Sequence, residues 1–333
     1  MNPVPPDRCP PLLTRRLLVF TGKGGVGKST LSAATALLAA RRGKRVLVCE
    51  VNAGDRIPAL LGVPPVGPSI GSLGENLWGV DVRPHEAMIE YGLMKLRYAA
   101  LVNAVLENRL MRYFLKALPS LSEVVMLGKI LFHVRELEGG RPRFDLVVLD
   151  APATGHGLSL LRIPQVVMAT VPPGPLQDDM RWMGELLADP AQTAINLVSL
   201  PEDMPVNETL ELDRALRDVA RLPRGVCFLN GVWPDRLRPE ELAGLPGGAT
   251  WRPMKATLES MQARADLGAE QARRLREGTS LKVVELPYLF AERFGRAEAQ
   301  RLAGLLGEKL EEGGLADRRA EAEGPKHSKE ETP

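Results

Sequence analysis

Residues Gly22-Lys23-Gly24-Gly25-Val26-Gly27-Lys28-Ser29-Thr30 satisfy the phosphate-binding pattern G-x-x-x-x-G-K-[ST], with an additional lysine directly after the first glycine. This loop constrains the fold because it works only between a strand and a helix. Its glycines let successive backbone N–H groups turn inward around the phosphates, and the following helix offers its amino end to their charge. The flanks supply that context: Arg16 to Thr21 is a short apolar run of strand type, and Leu31 to Ala40 is rich in helix formers. In such a loop Lys28 reaches the β- and γ-phosphates and the Ser29 hydroxyl ligates Mg²⁺. Gly22 through Thr30 are therefore the expected nucleotide-binding residues, and ATP or ADP with Mg²⁺ is the expected ligand.

The rest of the 333-residue chain continues the alternation. Strands are expected at 44–50, 77–82, 143–150, 166–171, 194–200, 225–230 and 281–286, and helices at 176–188, 208–222, 256–277 and 296–312. The consecutive apolar residues Leu146 to Leu149 fit a parallel strand covered on both faces. Alternation of this kind specifies an α/β fold with a doubly wound, mostly parallel sheet. Between 84 and 138 it lapses into helix formers, at 85–118 and 121–137, which reads as an inserted α-helical subdomain. One P-loop ATPase domain is expected over 15–312, with a further helical segment at 176–190. A flexible proline-rich arm is expected over 1–14, and a charged, disordered tail over 313–333.

Composition narrows the partners. A chain with 44% hydrophobic and 25% charged residues is globular, and a net charge of +2 without Lys/Arg runs offers no footprint for nucleic acid, which is not expected as a partner. No window reaches the roughly 18 uninterrupted apolar residues of a membrane span, and the amino terminus lacks the apolar stretch of a signal peptide. The expected location is the cytoplasm, with any membrane association peripheral and through a partner. Cys9, Cys49 and Cys227 are scattered without C-x-x-C spacing, so neither a disulfide framework nor a zinc site is expected.

Asp150 ends the strand at 143–150, where open α/β sheets place their ligands, and an acid there can hold the water shell of Mg²⁺; capping of the next segment is its other reading. It is followed by Ala151-Pro152-Ala153-Thr154-Gly155-His156-Gly157-Leu158-Ser159-Leu160-Leu161. With the two-lysine loop, this segment resembles the arsenite-pump and tail-anchored-protein-targeting ATPases, whose second switch reads approximately D-T-A-P-T-G-H-T-L-x-x-L. Pro152-Ala153 inverts the family's A-P pair. The resemblance implies that Pro152, Thr154, Gly155 and His156 belong to a nucleotide-responsive switch, in which His156 either relays nucleotide state or is a plain loop histidine. It also implies that Lys23 reaches across a homodimer, or a heterodimer with a paralogue, to the partner's nucleotide.

Weaker likeness extends over most of residues 15–310. Asp81 to Met88 is similar to the family's I-D-P-x-x-A-L stretch, and Pro201-Glu202 with Asn207-Glu208-Thr209 to its P-E…x-E-T segment. Asn230 matches an adenine-recognising asparagine, turn formation being its other reading; Leu286-Pro287 matches a segment lining the base, and Gly295 the glycine position that follows. The first switch, Cys49-Glu50-Val51-Asn52-Ala53-Gly54-Asp55-Arg56, departs from the D-P-A and asparagine of better-known members and looks more like a bacterial branch without the C-x-x-C motif. Glu50 can still orient or deprotonate the attacking water, since that role needs a carboxylate; a strand-end carboxylate without a catalytic part is the alternative. Lys23, Lys28 and Glu50 thus form the implied catalytic set.

Three roles stay open. The insert's Met88, Met94, Met111 and Met126, with its many leucines, could form a groove for a hydrophobic client or a helical core. An energising or regulatory role for a membrane or cytoskeletal partner is the second, although the cysteines do not cluster as arsenite activation requires. The third is a nucleotide-locked scaffold with little turnover.

Overall fold

The computed structural model describes residues 11–96, 121–170, 172–233, 244 and 251–315. In chain order the elements are β1 (Leu17–Thr21), α1 (Lys28–Arg41), β2 (Val46–Val51), α2 (Arg56–Leu60), β3 (Gly71–Gly74), β4 (Leu77–Val82), α3 (Pro84–Leu96), α4 (Leu121–Arg135), β5 (Leu137–Glu138), β6 (Arg141–Pro142) and β7 (Leu146–Asp150). They continue as α5 (Thr154–Met168), α6 (Pro175–Ala188), β8 (Thr193–Ser199), α7 (Asp203–Arg214), a π-helical turn (Ala215–Ala220), β9 (Arg224–Val232), α8 (Arg252–Gly278), β10 (Val283–Pro287) and α9 (Arg296–Glu312).

Eight strands form one sheet in the order β10-β9-β8-β1-β7-β2-β4-β3. Every neighbouring pair is parallel except β3–β4. Strand residues alternate between two cores, as a sheet covered on both faces requires. Leu17, Val19, Leu47, Cys49, Val147 and Leu149 face one core, which α4, α5 and α6 complete. Leu18, Phe20, Val46, Val48, Leu146 and Val148 face the other, with α1 and α9. This doubly wound α/β arrangement is the fold the sequence pattern specified.

Helix α1 is buried continuously from Leu31 to Ala40. A helix apolar all round must be enclosed: the sheet covers one side of α1, and α9 packs along it. The phosphate loop therefore enters a helix that has no room to shift.

Several expectations change. The strand expected at 166–171 is not formed: Val166, Val167 and Met168 end α5. The β-branched pair suggested a strand, but Leu160, Leu161 and Ile163 are buried while Val166 is 54% exposed, a helical pattern of burial. The antiparallel edge strand β3 and the short helix α2 had no clear signature. The arm expected over 1–14 is packed at its end: Leu12 and Leu13 are buried, and the Leu12 N–H donates to the Leu315 carbonyl at 2.9 Å. Residues 1–10 and 316–333, with most of the arm and tail, lie outside the described residues. So do 97–120, most of the helix expected at 85–118. In the described part of the insert, Met126 is buried and Met88 packs against the same core.

Candidate phosphate and switch site

The loop between β1 and α1 lies at the carboxyl ends of the strands, with β1 flanked by β7 and β8. Gly27 adopts φ +93° in the left-handed region, and a Cβ there would stand 2.3 Å from Asn230 Nδ2. Asn230, near the end of β9, donates from that nitrogen to the Val26 carbonyl at 3.0 Å. The structure thus brings Asn230 to the phosphate loop itself, which it braces. Gly24 and Gly25 form the exposed tip of the loop. Lys28 Nζ donates to the Lys23 carbonyl at 2.9 Å and so lies over the loop's hollow. Burial holds the Lys28 pKa below the ordinary lysine value, Asp150 opposes that, and the charge of Arg56 adds to it.

Asp150 ends β7 directly behind the loop. Its Oδ2 accepts the Ser29 hydroxyl at 2.5 Å and its Oδ1 the Ser32 hydroxyl at 3.2 Å. Ser32 is a site residue that motif reading missed; its spacing from Ser29, one helical turn, was the available signal. Strand register places Glu50 beside Asp150 on one side and Asp81 on the other, so three carboxylates form a row across β7, β2 and β4. All three are buried. Glu50 accepts the Ile57 N–H at 3.1 Å. Burial pushes its pKa up to about 7, the backbone N–H of Ile57 opposes this, and the charges of Asp150 and Asp81 add to it. Burial likewise raises the Asp150 pKa, against hydrogen bonds from Ser29 and Ser32 and the charge of Lys28. Asp81 is compensated differently: it accepts from the Ala53 and Gly54 N–H groups and from Arg83 Nε at 2.9 Å. Arg83 also reaches Asp55 at 3.1 Å, and Asp55 in turn accepts the Val66 and Gly67 N–H groups. The first switch, from Glu50 to Arg56, is therefore clasped to β4 by a fork of charge.

The second switch begins with the loop after Asp150 and enters α5 at Thr154. The Thr154 N–H donates to the Gly22 carbonyl at 3.1 Å, joining this segment to the phosphate loop. Its hydroxyl donates to Glu208 Oε2 at 3.3 Å, and Lys23 Nζ pairs with Glu208 Oε1 at 2.9 Å. One carboxylate on α7 thus holds both the extra lysine and the switch, a link that motif spacing could not show. Pro152 is half-buried, while Gly155 and His156 are exposed on the first turn of α5. The His156 side chain makes no hydrogen bond or ion pair with another described residue. Thr30 is half-buried on the first turn of α1. Pro287 pairs with Val232 at the end of β10, next to the strand carrying Asn230, and the neighbouring rings of Tyr288 and Trp233 stack 5.1 Å apart.

A groove of about 520 Å³ runs beside the loop, lined by Lys23, Gly24 and Val26 on one side and Leu200, Glu202 and Met204 on the other. Among the described residues no group of three or more His, Cys, Asp or Glu side chains could hold a metal unaided, and no helix is long and apolar enough to cross a membrane. Cys49 and Cys227 are buried in strands, and burial pushes the Cys227 thiol up to about 12 and that of Cys49 higher still.

A mostly parallel sheet carrying this loop at its central strand, with Asp150 bonded to Ser29, defines a P-loop ATPase of the doubly wound class. Residues 15–172 match the anion-transporting ATPase family. ATPase BagA of Mycobacterium tuberculosis is 34% identical over 236 residues, covering 68% of each chain. The arsenical pump-driving ATPase of Acidiphilium multivorum is 24% identical over 274 residues, covering 72% of this chain and 46% of that protein. ATPase ARSA1 of Chlamydomonas reinhardtii is 24% identical over 261 residues, covering 61% of this chain and 33% of that one. The chain belongs to the anion-transporting ATPase family, and it is an ATP-binding ATPase.

Proposed function

We propose that this ATPase is a Mg²⁺-dependent dimeric switch that closes on ATP and relaxes after hydrolysis. The observation carrying this reading is the Lys23–Glu208–Thr154 contact: one exchangeable ion pair couples the lysine of the phosphate loop to the first helical residue of the second switch. Lys23 and Glu208 are 28% and 34% exposed, so water competes for the pair and little energy opposes its release. Freed from Glu208, Lys23 is available to a nucleotide across a dimer interface, and a shift of Glu208 itself releases the hydroxyl of Thr154 as well.

Mg²⁺ fits the donors present, because the Ser29 hydroxyl and the Asp150 carboxylate are hard oxygen ligands already in contact, and Mg²⁺ takes one or two such groups together with phosphates and waters. When bound there it offsets charge on the β- and γ-phosphate oxygens. Lys28 holds the phosphates. Glu50, with a pKa near the working pH, accepts a proton from the attacking water.

As to what the switch drives, the family's description and the name of one relative point to membrane transport, and we place a membrane partner ahead of a hydrophobic client. Met88 and Met126 of the insert pack into the core, which takes two of the four insert methionines away from a client groove. The buried, protonated thiols of Cys49 and Cys227 are poorly disposed to capture arsenite.

The test is ATP turnover with light-scattering mass for wild type, Glu50→Gln and Lys23→Ala, each with ATP or ADP and with Mg²⁺ or EDTA. The expected result is Mg²⁺-dependent turnover lost in Glu50→Gln, an ATP-dependent dimer that persists in that variant, and loss of that dimer in Lys23→Ala. A mass that is the same in both nucleotides would refute the switch.

A further inference from the structure

The acidic groups in and around the first switch are all engaged. Glu50 accepts the Ile57 N–H, Asp81 and Asp55 share Arg83 and four backbone N–H groups, and Asp150 holds Ser29 and Ser32. Of the nearby cations, Lys23 is paired with Glu208 and Lys28 is bonded to the Lys23 carbonyl. Arg56 stands apart. It is exposed, and among the described residues its guanidinium makes no hydrogen bond or ion pair.

Its backbone is nonetheless fixed. Arg56 opens α2 and is followed by Ile57, whose N–H is held by Glu50 and whose side chain is fully buried against the α1 face of the sheet. Helix α2 lies against α1, the helix that the phosphate loop enters. The Arg56 charge is felt both at Lys28 and at Asp150. A cation held in this way, with every neighbouring acid already spoken for, is placed for an anion that arrives from outside the chain.

We infer that Arg56 is the residue by which the first switch recognises the terminal phosphate of a nucleoside triphosphate, contributed from the same chain as the phosphate loop. A guanidinium offers paired N–H donors to two phosphate oxygens and keeps its charge at every working pH. Contact with the terminal phosphate alone distinguishes ATP from ADP, and charge spreading over that group during transfer strengthens the contact. The inference rests on the reading of Gly22–Thr30 as the nucleotide site and gives Arg56 a role that Lys28, shared by both phosphates, does not have.

The experiment is calorimetric binding of AMP-PNP and of ADP to wild type, Arg56→Ala, Arg56→Lys and Lys28→Ala, with ATP turnover alongside. Because Arg56 is exposed, Arg56→Ala is expected to melt with wild type. It should lose about tenfold or more in AMP-PNP affinity, the scale of a charge-assisted hydrogen bond, while ADP affinity stays within about twofold. Turnover at saturating ATP should fall on the order of a hundredfold, and Arg56→Lys should recover only part of both losses because it lacks the fork. Equal loss for the two nucleotides, or loss for neither, would overturn the role of Arg56 while leaving the site reading intact. Lys28→Ala should weaken both nucleotides; wild-type affinity in that variant would overturn the site reading, and the inference with it.

Discussion

Glu50→Gln probes the row of carboxylates directly, because glutamine keeps the shape of the side chain and the oxygen that accepts the Ile57 N–H while removing the charge. In the folded chain burial pushes the Glu50 pKa up to about 7, whereas its ordinary value is 4.5. Between those two values the folded chain keeps a proton that the unfolded chain has already given up, so this group's contribution to stability is lost as pH rises through 7. Each pH unit of that interval corresponds to about 1.4 kcal/mol, so the charged form carries a cost of roughly 3 kcal/mol at pH 8 that is absent below pH 4.5. The glutamine variant carries no such cost. Urea denaturation at pH 5 and at pH 8 should therefore show its advantage over wild type growing by about 2–3 kcal/mol between the two. An advantage that does not change with pH would mean that Glu50 keeps ordinary acidity in the fold, and the argument from burial and register for a raised pKa would be refuted. Wild-type turnover should rise as pH passes through 7, since a base must be unprotonated to act.

A Cβ on Gly157 would lie 2.8 Å from both the Pro152 carbonyl oxygen and Thr21 Oγ1, so Gly157→Ala should displace the first turn of α5; thermal melts should show a loss of about 1–3 kcal/mol, and an unchanged melt would refute the close fit. Glu208→Ala removes both acceptor oxygens, and should release Lys23 and Thr154 together and lower the ATP concentration at which light scattering detects the dimer; an unchanged midpoint would remove Glu208 as a restraint on the switch. Arg83→Ala leaves buried Asp81 with two backbone donors only and should lower the midpoint of chemical denaturation; an unchanged midpoint would show that the two backbone donors suffice. Arg83→Lys should not restore this, since an ammonium cannot fork between Asp81 and Asp55.

The phosphate loop, Asp150 and the alternation of elements were legible in the sequence because each rests on local chemistry: glycines before a helix, an acid after a buried apolar run, and strands too apolar to face water. What was not legible depends on register and approach. That Glu50, Asp150 and Asp81 align on three adjacent strands follows from pairing of Glu50 with residues 100 and 31 positions later. Asn230 was read through the adenine base, while its amide touches the loop, a contact made when β9 is laid beside β8. Glu208 appeared only as part of a resembling segment, because nothing local tells an exposed helical glutamate from one that holds a lysine 185 positions earlier. The error at 166–171 has a local cause: Val166-Val167 favours a strand, and packing of the Leu160–Ile163 stripe overrode it.

Helix α9 packs along α1, and Asn230 braces the loop ahead of it. In order of synthesis this inverts the apparent simplicity of the motif. The phosphate loop leaves the ribosome before the strand and the helix that support it, which lie at Arg224–Val232 and Arg296–Glu312. A nascent chain stopped before Gly295 has the whole motif but lacks the wall behind it, and should retain little of a fluorescent ATP analogue. Nucleotide capture then waits for α9, so copies that lack this helix would not enter the ATP cycle.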